Sequence, residues 1–242
     1  MANDFESIDL VTGEDSELAE QACAYITVKL KEAIAARGRA SLMVSGGSSP
    51  KPLFAALANQ DIAWDKVTIS LVDERWVEPG EAGSNETFIK DNFLTGKAAA
   101  AEFISLKSGH ETVEQGLPEI EARFDSVPAP FDICIMGMGT DSHTASWFPG
   151  AAGREEAMDA GSSARFAYVD ARGCGGAGEF PDRITLTLPA VMDARDIVLF
   201  IPGSKKAAVF DAASAGDIAR TPIAALKAAG KRLKVFTGPH LR

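Results

Sequence analysis

A histidine and an aspartate stand two residues apart in Gly137-Met138-Gly139-Thr140-Asp141-Ser142-His143, directly after the apolar run Phe131-Asp132-Ile133-Cys134-Ile135-Met136. An imidazole, with an unperturbed pKa of about 6.5, can take a proton from water near neutral pH, and a nearby carboxylate can orient its ring. The apolar run reads as a buried strand. Ligands of open α/β sheets bind in the crevice outside the carboxyl ends of the strands, so His143, one of three histidines in the chain, is well placed for chemistry.

Three further groups have types suited to an anionic substrate. Ser45-Gly46-Gly47-Ser48-Ser49-Pro50 follows the apolar run Ala40–Val44 and can cradle a phosphate, because glycines let the backbone approach an anion and a following helix presents free N–H groups. Lys51 adds a cation; the alternative is an ordinary turn with Ser49 as N-cap and Pro50 at the first helical position. Asp73-Glu74-Arg75 ends the run Val67–Val72, where strand alternation aims Asp73 and Arg75 to one side, unless the cluster is a solvated turn. Asn85 stands at a helix start, as a cap or a ligand group. Arg183 and Lys205 each flank a buried element; alone either is a surface charge, but together with the Ser-Gly-Gly loop they supply the donors a phosphate requires.

The elements needed to position these groups are legible as alternating strands and helices. Leu18, Ala22, Tyr25, Ile26, Leu30 and Ile34 mark an amphipathic helix over 16–36, ended by Gly38. Helices are predicted over 51–58, 84–93, 112–124 and 205–213, and strands over 40–44, 67–72, 131–136, 183–188, 196–201 and 234–237. Between residues 151 and 178 only Arg165–Val169 looks strand-like. No repeat or linker interrupts the chain, so the expectation is one domain over 1–242: a Rossmann-like, doubly wound α/β fold with a mainly parallel sheet and helices on both faces, three layers in all.

Composition narrows the function classes. A net charge of −10 argues against general nucleic-acid affinity, and no apolar run is long enough to span a bilayer. The stretch Met1–Glu6 lacks the basic and apolar regions of a secretory leader, so a cytoplasmic location is expected. Cys23, Cys134 and Cys174 have no paired spacing and read as reduced thiols, and His143 with Asp141 falls short of a metal ligand set. Gly173-Cys174-Gly175-Gly176-Ala177-Gly178 matches the dinucleotide pattern letter for letter, yet Pro181 and a strand-like continuation follow where a helix should open; it reads as a flexible loop. No G-x-S-x-G elbow occurs.

Taken in order, Val44–Pro50, Val72–Val77 with Ser84-Asn85, Gly137–Gly150, Arg183–Thr187 and Gly203–Ala207 closely resemble the 6-phosphogluconolactonase family. The resemblance implies the fold shared with glucosamine-6-phosphate deaminase and ribose-5-phosphate isomerase, and hydrolysis of 6-phospho-D-glucono-1,5-lactone in the pentose phosphate pathway. It implies neither a metal nor an organic cofactor. By matching position His143 would be the general base, Asp73 and Arg75 would line the active site, and Arg183, Lys205 and the Ser45, Gly46, Gly47, Ser48 loop would hold the phosphate. The expected partner is a small phosphosugar lactone, with no nucleic acid and no membrane, and a monomer is expected, a weak homodimer being the alternative.

A lactone is an activated ester, so water attack needs a base and no covalent nucleophile. Either Asp141 or Asp73 could orient His143, with Arg75 offsetting developing negative charge. Two other readings use the same pocket: a sugar-phosphate deaminase or isomerase, and a non-catalytic sugar-phosphate sensor. Against the first, Thr144–Pro149 lacks an acidic residue; against the second, the chain has no basic face or added module. One departure from the family stands beside the base: Ser142 occupies the place of a usual glycine. A positive φ there would cost a serine on the order of 1–3 kcal/mol.

Overall fold

The computed structural model describes residues 8–213 and 215–239; the Met1–Glu6 stretch and His240 lie outside them. Its strands are β1 (Asp9–Thr12), β2 (Ala40–Val44), β3 (Val67–Leu71), β4 (Asp73–Arg75), β5 (Glu102–Phe103), β6 (Ile133–Met136), β7 (Phe166–Asp170), β8 (Asp182–Leu186), β9 (Asp196–Ile201) and β10 (Leu233–Thr237). Its α-helices are α1 (Asp15–Arg37), α2 (Lys51–Leu57), α3 (Asn85–Asn92), α4 (Val113–Arg123), α5 (Arg154–Ala157), α6 (Leu188–Asp193) and α7 (Ser204–Ala212).

Seven strands form one sheet in the order β1-β10-β9-β6-β2-β3-β5. Every neighbouring pair in it is parallel, as the βα alternation predicts. β2, β3 and β6 are buried at every position, which requires cover on both faces and explains why they read as continuous apolar runs rather than alternating ones. α1 supplies part of that cover through Leu18, Ala22, Ile26, Leu30 and Ala33, spaced close to the helical period. Gly38 ends it at φ 79, its N–H donating to Ile34 O, a left-handed cap that glycine adopts without strain.

The sequence reading did not separate out a second sheet, which is antiparallel in the order β4-β8-β7. Asp73–Arg75 is not the tail of β3. Val72 is the last residue on the main sheet, its N–H donating to Val44 O, while its carbonyl already accepts from Leu186 N of the second sheet. The chain thus changes sheets at Val72. The stretches 183–188 and Arg165–Val169, read as strands of unknown partner, become β8 and β7 and pair with each other here. β1, β5, α6 and a 3-10 segment at Pro222–Arg232 were not anticipated; β1 and β5 are short edge strands, with too few residues to show a period.

Candidate active site

The connection from β2 runs to β3 on one side, whereas β6 lies on the other side of β2 and leads on to β9. The loops after β2 and β6 therefore diverge, and the crevice between them is the topological switch point. Ser45 follows β2 and Gly137 follows β6, and both line a cavity of about 250 Å³. The sequence places its two glycine loops at this crevice because each terminates a buried parallel strand.

The second sheet forms a wall of the same cavity. In the register β4 to β8, Asp73 faces Thr185, Glu74 faces Ile184 and Arg75 faces Arg183. Alternation puts Asp73 and Arg75 on one face, with Thr185 and Arg183 opposite them, and Asp73, Arg75 and Arg183 all line the cavity. Two guanidinium groups directly across a ladder repel, and Asp73 beside them neutralises this positive charge only in part. Asp73 Oδ2 lies 3.8 Å from Arg183 Nη1 and accepts a 2.6 Å bond from Ser146 Oγ. Arg183 is 2 % exposed and donates to the carbonyls of Phe180 and Ala177, both at 2.6 Å. Burial pulls its pKa down to about 10, Asp73 opposing and Arg75 adding to the shift, which leaves it charged at neutral pH. Arg75 donates to Gly83 O through Nη1, while its buried Nε has no hydrogen-bond partner.

Glu74 points to the other face and was not singled out from sequence. It is 1 % exposed and accepts from the backbone N–H groups of Arg75, Asn85 and Glu86, each at 2.7 Å. A buried carboxylate thus ties β4 to the start of α3. Ser84, not Asn85, is the N-cap, its Oγ accepting from Thr87 N. That frees the Asn85 side chain, which donates to Asp73 O at 2.9 Å, lines the cavity and occupies the space a Cβ at Gly46 would need.

At the other side of the crevice, His143 Nδ1 lies 2.5 Å from Asp141 Oδ1. Of the two carboxylates left open by the sequence, Asp141 is the one beside the ring; Asp73 is engaged by Ser146 and Arg183. Nδ1 is thereby committed, and Nε2 is the ring nitrogen left for a water or substrate. Burial alone would raise the Asp141 pKa, but the hydrogen bond and charge of His143 outweigh it and hold the carboxyl below its ordinary value. The imidazole stacks on Phe148 with centroids 4.2 Å apart, and Arg183 sits 5.4 Å from the same ring. Ser142 has φ 68, the left-handed conformation that the family glycine suggested. Its Oγ donates to Arg220 O at 3.0 Å and its carbonyl accepts from Ile223 N, so the strained turn is anchored to the 217–223 segment.

The loop residues Ser45, Gly46, Gly47 and Ser48, expected from sequence to meet a phosphate, all line the cavity, and Gly47 has φ 88. Ser49 is not a cap: its Oγ accepts a 2.8 Å bond from Lys206 Nζ. Lys51 and Lys205 are exposed, and neither is among the residues lining the cavity. Lys206, which the sequence reading passed over for Lys205, is the lysine in the wall, and burial lowers its pKa. The reason is helical: neighbours on α7 point about 100° apart, and Lys206 precedes buried Phe210 by one turn, a spacing that could have identified it. Phe148 and Gly176 also line the cavity without having been singled out as site residues. Among the described residues, no group of three or more His, Cys, Asp or Glu is placed to hold a metal ion. No helix among them is long and apolar enough to cross a membrane.

Residues 13–235 match the family model described as glucosamine-6-phosphate isomerases/6-phosphogluconolactonase. The chain belongs to this family. It is 42% identical to the 6-phosphogluconolactonase of Rhizobium meliloti, over 93% of this chain and 95% of that one. It is 40% identical to that of Mesorhizobium japonicum, over 92% of each. Among solved structures, a 6-phosphogluconolactonase from Shewanella baltica superposes with a TM-score of 0.86 at 35% identity, covering 96% of this chain and 97% of the other. In this family member the histidine turn, the serine-glycine loop and the arginine pair come from four separate stretches of sequence and meet only through the two sheets.

Proposed function

We propose that the chain hydrolyses 6-phospho-D-glucono-1,5-lactone to 6-phospho-D-gluconate, with His143 as general base. The observation that carries this reading is the His143–Asp141 pair, 2.5 Å apart, in one cavity with the Ser45–Ser48 loop, Lys206, Arg75 and Arg183. A phosphate at the loop is met by Lys206 and Arg183. The lactone carbonyl then lies toward His143. Nε2 takes a proton from water as its oxygen attacks C1, Asp141 stabilises the resulting imidazolium, and Arg75 faces the developing oxyanion. Collapse breaks the bond from C1 to the ring oxygen, which recovers the proton from His143 and leaves as the sugar hydroxyl. No acidic side chain occurs between Thr144 and Pro149, where a second acid for release of an amine could stand.

The test is hydrolysis of freshly generated lactone, corrected for its spontaneous rate. His143→Ala is expected to lower kcat by roughly 10² to 10⁴ while KM changes little. A wild-type rate no greater than buffer, or full turnover in the variant, would overturn the reading.

A further inference from the structure

The Gly173–Gly178 loop has so far had no task, yet Gly176 lines the cavity. The loop begins at Gly173 with φ 83 and ends at Gly178 with φ 64. Between them it is pinned at several points. Cys174 N donates to Ala171 O, Ala177 N donates to Cys174 O, and Cys174 and Ala177 pack with Phe148 and Ala171. The Ala177 carbonyl accepts from Arg183 Nη2 at 2.6 Å. It is therefore a strap with fixed ends rather than a loose loop.

Where the strap crosses the site, a Cβ on Gly176 would fall 2.6 Å from Asp141 Oδ2, 2.8 Å from His143 Nδ1 and 2.9 Å from His143 Cε1. Real Cβ atoms essentially never come this close, so something must shift. Gly139 lies against the same pair: a Cβ there would collide with the His143 ring and lie 2.5 Å from Asp141 Oδ1. The Asp141–His143 pair is thus held between two glycine backbones, with Phe148 under the ring. Because Arg183 and the Phe148 cluster hold the strap, a side chain at 176 pushes on the pair rather than on free chain.

We propose that the Gly173–Gly178 strap seats the Asp141–His143 pair and that Gly176 is a positioning residue for the lactone-hydrolysing base. The proposal rests on the reading of His143 given above, and the experiment separates the two. Gly175 is the internal control: a Cβ there meets nothing within 4 Å, and its φ is not positive. Gly176→Ala is expected to lower kcat roughly 10- to 100-fold, as a displacement of about 1 Å in a reacting group does, with KM within about threefold of wild type. Gly175→Ala is expected to match wild type in both. In NMR spectra the His143 Cε1–H resonance, assigned by its loss in His143→Asn, should move in Gly176→Ala and stay in place in Gly175→Ala. Wild-type protein should show a cross-relaxation peak between Gly176 Hα and His143 Hε1, a measurement that needs neither variant to fold. Equal effects of the two alanines, an unmoved His143 resonance in Gly176→Ala, or the absence of that peak would each overturn the proposal. Failure of wild-type protein to hydrolyse the lactone would instead overturn the functional reading, leaving the spectra to decide the placement.

Discussion

Replacing Glu74 by Gln removes a carboxylate whose pKa is driven from the ordinary 4.5 up to about 7. Burial is the largest cause; the N–H groups of Asn85, Glu86 and Arg75 pull it back, and the charge of Asp73 raises it again. The folded protein therefore holds this proton more tightly than the unfolded chain does. Between pH 4.5 and about 7 the native state binds more protons at this site, so stability contributed here is full below pH 4.5 and lost as pH rises through about 7. The direction is opposite to that of a salt-bridged carboxylate such as Asp141, whose lowered pKa makes its contribution vanish only under more acid conditions. A displacement of this size corresponds to roughly 3 kcal/mol. Urea unfolding at intervals from pH 5 to 8 should show the wild type losing up to about that amount relative to Glu74→Gln. Below about pH 7 the folded protein carries Glu74 protonated, so Gln, with one acceptor and a donating amide, resembles it there and the two proteins should start at pH 5 within about 1 kcal/mol of each other. Contributions from every other titratable group are common to both proteins and cancel in the difference. Stability curves that run parallel from pH 5 to 8 would show that Glu74 does not carry the proton assigned to it.

Two comparisons test the loops around the site. Lys206→Ala should raise KM roughly 10- to 100-fold, the worth of a charged hydrogen bond to phosphate, while Lys205→Ala should change it less than about twofold; steady-state kinetics decides, and equal effects would contradict the orientation of α7. Ser142→Ala keeps the positive φ and loses the bond to Arg220 O, so it should destabilise by about 1 kcal/mol, whereas Ser142→Gly relieves the backbone and should stay within about 0.5 kcal/mol of wild type. Denaturant midpoints that place the alanine variant at or above the glycine variant would refute the compensation.

Much of the site was legible because its residues sit at ends of strongly patterned elements. Ser45 and Gly137 follow strands whose every residue is apolar or small, and such runs have few other places to go than the middle of a parallel sheet. Asp73 and Arg75 were correctly aimed together by alternation alone. What was not legible depended on partners distant in the chain. Glu74 looks like one more charge of a polar turn until α3 folds onto it, and Gly176 looks like part of a flexible tract until Arg183 draws the strap across the histidine. That Lys206 rather than Lys205 lines the cavity has a nearer reason: the helical phase of α7 follows the buried Phe210, one turn beyond Lys206.

The sequence by itself determined the alternation of the principal strands and helices, the parallel character of the main sheet and the residue types that could serve an anionic ester, because periodicity and loop chemistry are local properties of the chain. It also marked Ser142 as a residue under backbone constraint. Only the tertiary structure decided that the chain changes sheets at Val72, and with that the pairing of Arg75 with Arg183, since β4 and β8 are separated by more than a hundred residues. It likewise chose Asp141 over Asp73 as the partner of His143: nearness in sequence does not by itself fix which carboxylate meets the ring, whereas Ser146 and Arg183 occupy Asp73 and leave Asp141 to the imidazole.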